Sequence, residues 1–397
     1  MDATATGDSC ALPAIGFLQY FQDLIDPRSE YNSLHNLSDM LVIALLAIMS
    51  GADGWVQIQA FGVSKQKWLA TFLSLPNGIP SHDTFGRVFS RLHPDSFERC
   101  FQAWMAGLSN VSNGRFIAID GKALRRSFRR AWDKSGMAHL VSAFVRANEN
   151  QVVFSQLAVE GKSNEITAIA KLLDLLDLKG AVLTIDAIGC QKQVAQKVVE
   201  KGGNYVLSVK DNQPTLHAKV KSLMDEAVLE SNAKAQTCGY FEEAGEGHGR
   251  IETRRVWLMN NVQWLGAELL EQWTGLGSIA VVERVRQNLG DMSGKVSTER
   301  HYYISSLTGV DPKSVEAFAG AVRGHWSVEN NLHWQLDVSF REDDRRIRVG
   351  HGAENFSRLT RLALNLLKKD KSKKVGIQTK RMIAAWDLDY LLQLIGQ

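Results

Sequence analysis

Phe116-Ile117-Ala118-Ile119-Asp120 is an apolar run closed by a carboxylate, and the pattern recurs at Ala181-Val182-Leu183-Thr184-Ile185-Asp186. Short apolar runs of this kind, bounded by turn residues, read as buried strands. Between them, His139 to Arg146 and Gln151 to Glu160 read as a hairpin about Asn148-Glu149-Asn150, and Glu165 to Leu178 has helical periodicity. After Asp186, Lys192 to Lys201 is helical and stops at Gly202-Gly203, and Tyr205 to Val209 is a further strand. The predicted order is strand, strand, strand, helix, strand, helix, strand, which is an α/β pattern. Strands that deliver acids at one end of a sheet suit a metal site, because packing holds the carboxylates rigidly. Hard oxygen ligands favour magnesium or manganese, and two such ions clamp the attacking and leaving oxygens of a phosphoryl transfer. Taken singly, Asp120 and Asp186 also read as ordinary acids at a strand-to-turn junction.

A third acid lies in the stretch from Arg323 to Asp344. Read as a helix, it carries an apolar stripe at Val322, Trp326, Leu332 and Leu336, with Glu329 on that stripe. A carboxylate inside a buried stripe is costly unless a cation or metal neutralises it. Asp120 and Asp186 are the candidate co-ligands. His325, Glu329 and His333 also share one helix face, which raises zinc as a competing reading. That reading leaves the two strand-end acids unexplained, so the histidines are assigned to assisting the metal site, contacting phosphate or packing.

The chain of 397 residues carries a net charge of only +3, unevenly distributed. Residues 1–110 hold six lysines and arginines against ten acids; residues 341–382 hold thirteen against five. The second segment, with the basic run Lys368 to Lys374, is the expected polyanion contact. Cys10, Cys100, Cys190 and Cys238 show no Cys-x-x-Cys spacing, which points to a reduced, cytoplasmic protein. No signal peptide is read at the N-terminus, and the apolar run Met40 to Met49 is too short to cross a bilayer. Residues 14–110 read as helical: Ser38 or Asp39 caps a helix through Met49, a second runs from Ser64 to Leu75, and Ser81 caps a third carrying Arg87 and Arg91. The last two read equally as a helix-turn-helix or as a plain bundle. Residues 214–300 read as a mostly β insertion, with strands near Glu252 to Leu258 and Ile279 to Arg286 and a Gly-rich segment at Gly245 to Arg250. Tyr302 to Ser305 is a short strand, and helices follow at about 313–336 and 353–369.

Several segments together resemble bacterial insertion-sequence transposases of the DDE type, in the group that includes the H-repeat-associated proteins. They are Ala118-Ile119-Asp120-Gly121-Lys122, Leu183 to Gln191, Tyr205-Val206-Leu207 with Lys210, Asn212 and Gln213, His248 to Arg254, Arg323-Gly324-His325-Trp326 through Glu329-Asn330, and Arg358 to Leu367. The likeness spans nearly the whole chain. It implies an RNase H-like mixed sheet with flanking helices and a β-rich insertion, preceded by an all-helical N-terminal domain. The implied domains are 1–110, transposase-associated with DNA binding as one reading; 111–375, catalytic, with the insertion at about 214–300; and a helical tail at 376–397. It implies that Asp120, Asp186 and Glu329 are catalytic and hold two magnesium or manganese ions. The implied chemistry is hydrolysis at element ends, then attack of a 3′-hydroxyl on target DNA. The expected partners are double-stranded DNA, as terminal repeats and target, and a second copy of the chain to hold two ends. Expected DNA contacts are Lys122, Arg125, Lys210, Asn212, Gln213, Arg323, His325, Arg345, Arg346 and Arg348. The chain departs from broader relatives in two ways: His325 and Leu336 stand where those carry Arg and Lys about the catalytic Glu, and Arg126 stands where a glycine is expected. The alternatives are a catalytically decayed or domesticated DNA-binding protein, and an RNase H-like nuclease without the joining step.

Overall fold

A computed structural model describes residues 16–29, 33–108, 116–127, 138–147, 150–160, 165–230, 238–247, 249–289 and 296–396. Asn148-Glu149, His248 and Cys10 lie outside the described residues. The chain divides into two compact units: residues 1–109, 124–138 and 334–397 form one, and 110–123 with 139–333 form the other.

The first unit begins with helices α1 (Leu37–Met49), α2 (Trp55–Leu69), α3 (His82–Arg91) and α4 (Pro94–Leu108). Every residue from Met40 to Met49 is buried, so the long apolar run is a core helix. Its N-cap is Asn36 rather than Ser38 or Asp39; Asp39 lies in the first turn and accepts the Leu75 amide at 2.9 Å. Ser81 caps α3 as expected, its hydroxyl accepting the Thr84 amide at 3.2 Å. Helix α2 starts and ends earlier than Ser64 to Leu75.

The second unit is a mixed α/β structure built on one nine-stranded sheet. Its elements are β1 (Phe116–Ala123), β2 (Ala138–Ala147), β3 (Asn150–Glu160), α5 (Glu165–Leu175), β4 (Val182–Ile185), α6 (Lys192–Glu200), β5 (Asn204–Val209), α7 (Pro214–Glu230), β6 (Gly239–Gly247), β7 (Arg250–Met259), α8 (Ala267–Gln272), β8 (Ser278–Asn288), β9 (Val296–Ser305) and α9 (Pro312–Val328). The strand–helix order from β1 to β5 is the one the apolar runs predict. The strand order across the sheet is β3-β2-β1-β4-β5-β9-β8-β7-β6; the β1–β4 and β4–β5 pairs are parallel, and the β1–β2, β5–β9, β9–β8, β8–β7 and β7–β6 pairs antiparallel. The insertion is therefore not a separate β body, because β6 to β9 extend the same sheet beyond β5. Two of its strands were not legible. Gly239–Gly247 is a strand despite its glycines and glutamates, and β9 begins at Val296 rather than Tyr302. Both segments are largely solvent-exposed, so the apolar alternation that marks a buried strand is missing. One sheet face is covered by α5 to α8 over a core that includes Ile119, Ile185, Leu207 and Ile304; the other packs Val206, Val256, Val282 and Tyr303 against Phe318 and Val322 of α9.

The chain then returns to the first unit with α10 (Gly352–Lys369), α11 (Ile377–Trp386) and α12 (Leu388–Ile395). Here the basic segment shows an unexpected use. Arg358 is wholly buried and donates to Glu98 at 2.8 Å and Glu354 at 2.6 Å. Arg361 is buried against Glu342 at 3.0 Å and Ser357. Arg381 bonds the carbonyls of Ile48 and Ser339, which ties the end of α1. Lys380 is buried on Asp370 at 3.1 Å. Much of the charge assigned to a polyanion surface thus holds the helices together; Lys371, Lys373 and Lys374 remain exposed. Removing one partner of a buried pair leaves the other charge uncompensated, at a cost of about 3–5 kcal/mol. Urea unfolding of Arg358→Ala, which removes the cation that both Glu98 and Glu354 face, should show a loss of that size, whereas Lys374→Ala should fall within about 0.5 kcal/mol of the parent.

Candidate functional site

The parallel register pairs Phe116 with Val182 and ends with Ile119 opposite Ile185. Asp120 and Asp186 are each the next residue, on neighbouring strands about 4.8 Å apart. Ile119 and Ile185 turn into the core under α5 and α6, so alternation sends both acids to the face covered by α9. Strand β1 does not end at Asp120: it continues to Ala123 along β2 alone, with Asp120 opposite Ser142. The carboxylate therefore sits where β4 leaves β1. The Gly121 amide donates to Asp120 Oδ1 at 2.8 Å, and a β-carbon on Gly121 would collide with the Glu165 carboxylate. Asp186 caps a short turn, accepting the Gly189 amide at 3.4 Å. Asn212 donates to the Ala187 carbonyl at 2.5 Å and Gln213 to that of Cys190 at 3.0 Å, so both amides pin the loop that follows Asp186.

Helix α9 supplies the opposite wall. Val322 and Leu332 are buried as the stripe predicts, but Trp326 is 47% exposed and the Glu329 side chain 70% exposed. Both lie off the buried face of α9, which runs through Val315, Phe318, Val322 and Val328; a wide π-helical turn then begins at Glu329 and runs to His333. Glu329 is thus not an interior charge; it stands at the mouth of a cleft. The same turn carries His333 inward, where its Nδ1 lies 3.2 Å from Glu329 Oε2 and 3.6 Å from Asp120 Oδ2. Ligand atoms of Asp120, Glu329 and His333 all lie within 4.8 Å of one another; Asp186 borders the same cleft outside that group. The cleft, of about 290 Å³, is floored by Thr184, Val206 and Ser208 and flanked by Lys210, Tyr303 and His325.

Burial pushes the Asp120 carboxyl up to about 7, opposed by the Gly121 amide and reinforced by the negative charges of Asp186, Glu329 and Glu165. His325 is pushed down by burial, against the pull of Asp186, and its buried Nδ1 has no hydrogen-bond partner among the described residues. Burial raises the Tyr303 phenol to about 12, and its side chain is bonded to Trp326.

The other expected DNA contacts scatter. Lys122 is buried on β1, Lys210 is exposed at the cleft, and Arg323 pairs with Glu243 at 2.8 Å. The remaining four belong to the helical unit. Arg125 pairs with Asp343 at 3.1 Å, Arg346 is exposed, and Arg348 donates to the Arg126 carbonyl at 3.1 Å. Arg345 is enclosed, donating to Thr360 at 2.7 Å and Phe340 at 2.8 Å over the Phe356 ring, and so is not presented to a ligand. Sequence reasoning missed an arginine cluster on β7 and β8. Arg250, Arg254, Arg284 and Arg286 surround Glu252, with Arg286 at 3.2 Å and Arg284 at 3.7 Å. Their even spacing, four apart on β7 and two apart on β8, was the available signal.

Two family models match the chain: the transposase DDE domain over residues 112–366, and the domain described as associated with it over residues 18–105. "Putative transposase YncI" of Escherichia coli O157:H7 is 40% identical over 379 residues, 96% of this chain and 94% of that protein. "H repeat-associated putative transposase YhhI" of Escherichia coli strain K12 is 36% identical over 382 residues, 96% of this chain and 97% of that protein. "Uncharacterized protein in dhlA 3'region" of Xanthobacter autotrophicus is 43% identical over 296 residues, 74% of this chain and 95% of that protein. Matched over most of its length by the family model and by these relatives, the chain belongs to the DDE transposase family.

Proposed function

We propose that this chain is a metal-dependent DNA transposase that cleaves the ends of its own insertion sequence and joins them to target DNA, with an RNase H-like catalytic fold. Asp120, Asp186 and Glu329 are the catalytic carboxylates. The observation that carries the reading is the convergence of these three acids, from two adjacent strands and one helix end, on a single cleft. The residues fit divalent cations: three oxygen donors crowd together, and their mutual repulsion helps hold Asp120 protonated up to about pH 7. Two magnesium or manganese ions bound there would stabilise charge on the attacking and leaving oxygens of an in-line displacement at phosphorus. The protein's own part is positional. The strands fix Asp120 and Asp186, and Asn212 and Gln213 hold the Asp186 loop. Lys210 offers an ammonium to a phosphate in the cleft, and Val322, Tyr303 and Trp326 form its apolar wall. The DNA would run past His301 and Trp326 into a groove walled by Arg254, Arg284 and Arg323, which continues to Arg250 and Asn330. From Arg250 to Val256 strand β7 covers about 20 Å, the rise of roughly six nucleotides of one strand. Double-stranded DNA as terminal repeats and target, two copies of the chain on paired ends, and a site of action at the bacterial nucleoid complete the proposal.

Cleavage of the element's terminal repeats with magnesium or manganese tests it. Loss of a group supporting a metal ligand costs about 10–100-fold, so losing a ligand should cost more. Asp120→Ala, Asp186→Ala and Glu329→Ala should each reduce cleavage by more than about a hundredfold, and undiminished metal-dependent cleavage in Asp120→Ala would sink the assignment. Binding without nicking by the parent protein would favour a decayed DNA-binding protein, and cleavage without joining a simple nuclease.

The carboxyl of Asp120 also sets a pH dependence. Its pKa is higher folded, at about 7, than in an unfolded chain, at about 3.9. Its contribution to the metal-free protein is therefore complete below about pH 4 and is lost as the pH rises through about 7. Asp120→Asn should remove that loss, stabilising the metal-free protein at pH 8 by up to about 4 kcal/mol in denaturant titrations. Arg250→Ala and Arg323→Ala should each flatten the plot of log affinity for DNA against log salt by about 0.9, and Lys179→Ala, outside the groove, should leave it unchanged.

A further inference from the structure

The carboxylates do not account for His333. Its imidazole is buried to 6% exposure, yet its Nδ1 faces outward into the acidic cluster, within 3.6 Å of one carboxylate and 3.2 Å of another. These two carboxylates come from elements far apart in sequence, β1 and the turn after α9. We propose that His333 is a direct nitrogen ligand of the cation held by Asp120 and Glu329, which makes this a mixed imidazole–carboxylate centre that prefers manganese to magnesium. The inference rests on the proposed metal-dependent reading of the same cleft.

Geometry supports this first. Ligands at right angles on bonds of about 2.1 Å lie on the order of 3 Å apart. The distances from Nδ1 to the two carboxylates are already close to that, so one ion can be reached from all three side chains with little movement. Local structure supports it second. In a regular helix residues four apart are neighbours, and the wide turn at Glu329–His333 keeps both side chains aimed at one point while Glu329 stays exposed and His333 is enclosed. A buried ring held by packing has lost its rotamer freedom in advance, which suits a ligand. Chemistry supplies the selectivity. Magnesium takes oxygen donors and dehydrates reluctantly, whereas imidazole nitrogen binds later first-row ions better, so one nitrogen in an otherwise oxygen set shifts preference towards manganese. Asp186 lies outside the three-residue group, so the centre with nitrogen and any second centre differ in donor set. His325, on the same helix face, lies outside the group as well, although the helical spacing alone made it as good a candidate as His333.

Manganese bound to the full-length protein, without DNA, provides the test. Electron spin-echo spectroscopy of the bound ion should show a nitrogen coupling from a directly bound imidazole, absent in His333→Asn and retained in His325→Asn. Calorimetric titration should show manganese bound more tightly than magnesium by the parent protein. In His333→Asn that advantage should shrink about tenfold or more, with magnesium affinity changed much less. His333→Gln serves where the Asn variant does not fold. A bound manganese ion with no nitrogen coupling overturns the role of His333 and leaves the carboxylate reading standing. A coupling that survives in both His333 variants overturns it too. No manganese binding by the parent protein, together with no metal-dependent cleavage, overturns both.

Discussion

Four backbone pairings between β1 and β4, ending at Ile119 opposite Ile185, are the constraint on which the candidate site depends. In a parallel pair both strands present the same side-chain parity at the same level. A carboxylate following each terminal isoleucine therefore puts two acids side by side on one face. Two carboxylates at strand spacing repel, and burial adds to the cost of charging them. The Gly121 and Gly189 amides, one on each carboxylate, offset only part of this, so the register must be secured elsewhere. The core beneath does so: Ile119, Leu183, Ile185, Leu207 and the inward faces of α5 and α6 pack as one cluster. A slip of one residue would turn every one of these side chains to the wrong face.

The other half of the site is held by a different device. A strand fixes a side chain by its neighbours on both sides, but a helix end can be tuned by its winding. After Val328 the helix widens over Glu329–His333, with Glu329 in the open and His333 enclosed beneath it. Wide turns of this kind are uncommon and occur often at functional sites. Here the turn spans both Glu329 and His333, whose side chains meet at 3.2 Å.

This explains which parts of the architecture could be read from residues. The runs ending in Asp120 and Asp186 were legible because buried parallel strands are apolar on both faces, and the turns and glycines around them mark their limits. The order of β1 to β5 and the cap at Ser81 followed from the same local rules. Glu329 was found, but for a wrong reason: a stripe drawn through Trp326 placed it in the interior, whereas the buried face of α9 runs through Val315, Phe318, Val322 and Val328 and leaves both residues exposed. Strand β6 and the first half of β9 escaped because their pairing is a backbone matter and their side chains remain wet. Glu165 could not have been found, since its approach to Gly121 depends on how α5 docks on the sheet.

Charge was the least reliable guide, and the reason is physical. A segment's net charge counts guanidinium groups without regard to where they point. In the helical unit Arg358, Arg361 and Arg381 are enclosed by carboxylates and carbonyls, and their positive charge is consumed within the fold. On β7 and β8 the opposite holds. There four arginines share one carboxylate, Glu252, and burial and the neighbouring Arg286 lower the pKa of Arg284. Glu243, shared by Arg254 and Arg323, is a second partial counter-charge at the edge of the groove. Acids that each serve several arginines leave the cluster with a surplus of positive charge. An incoming phosphate would complete such an array rather than compete with it, and the groove that the array lines opens onto the three carboxylates.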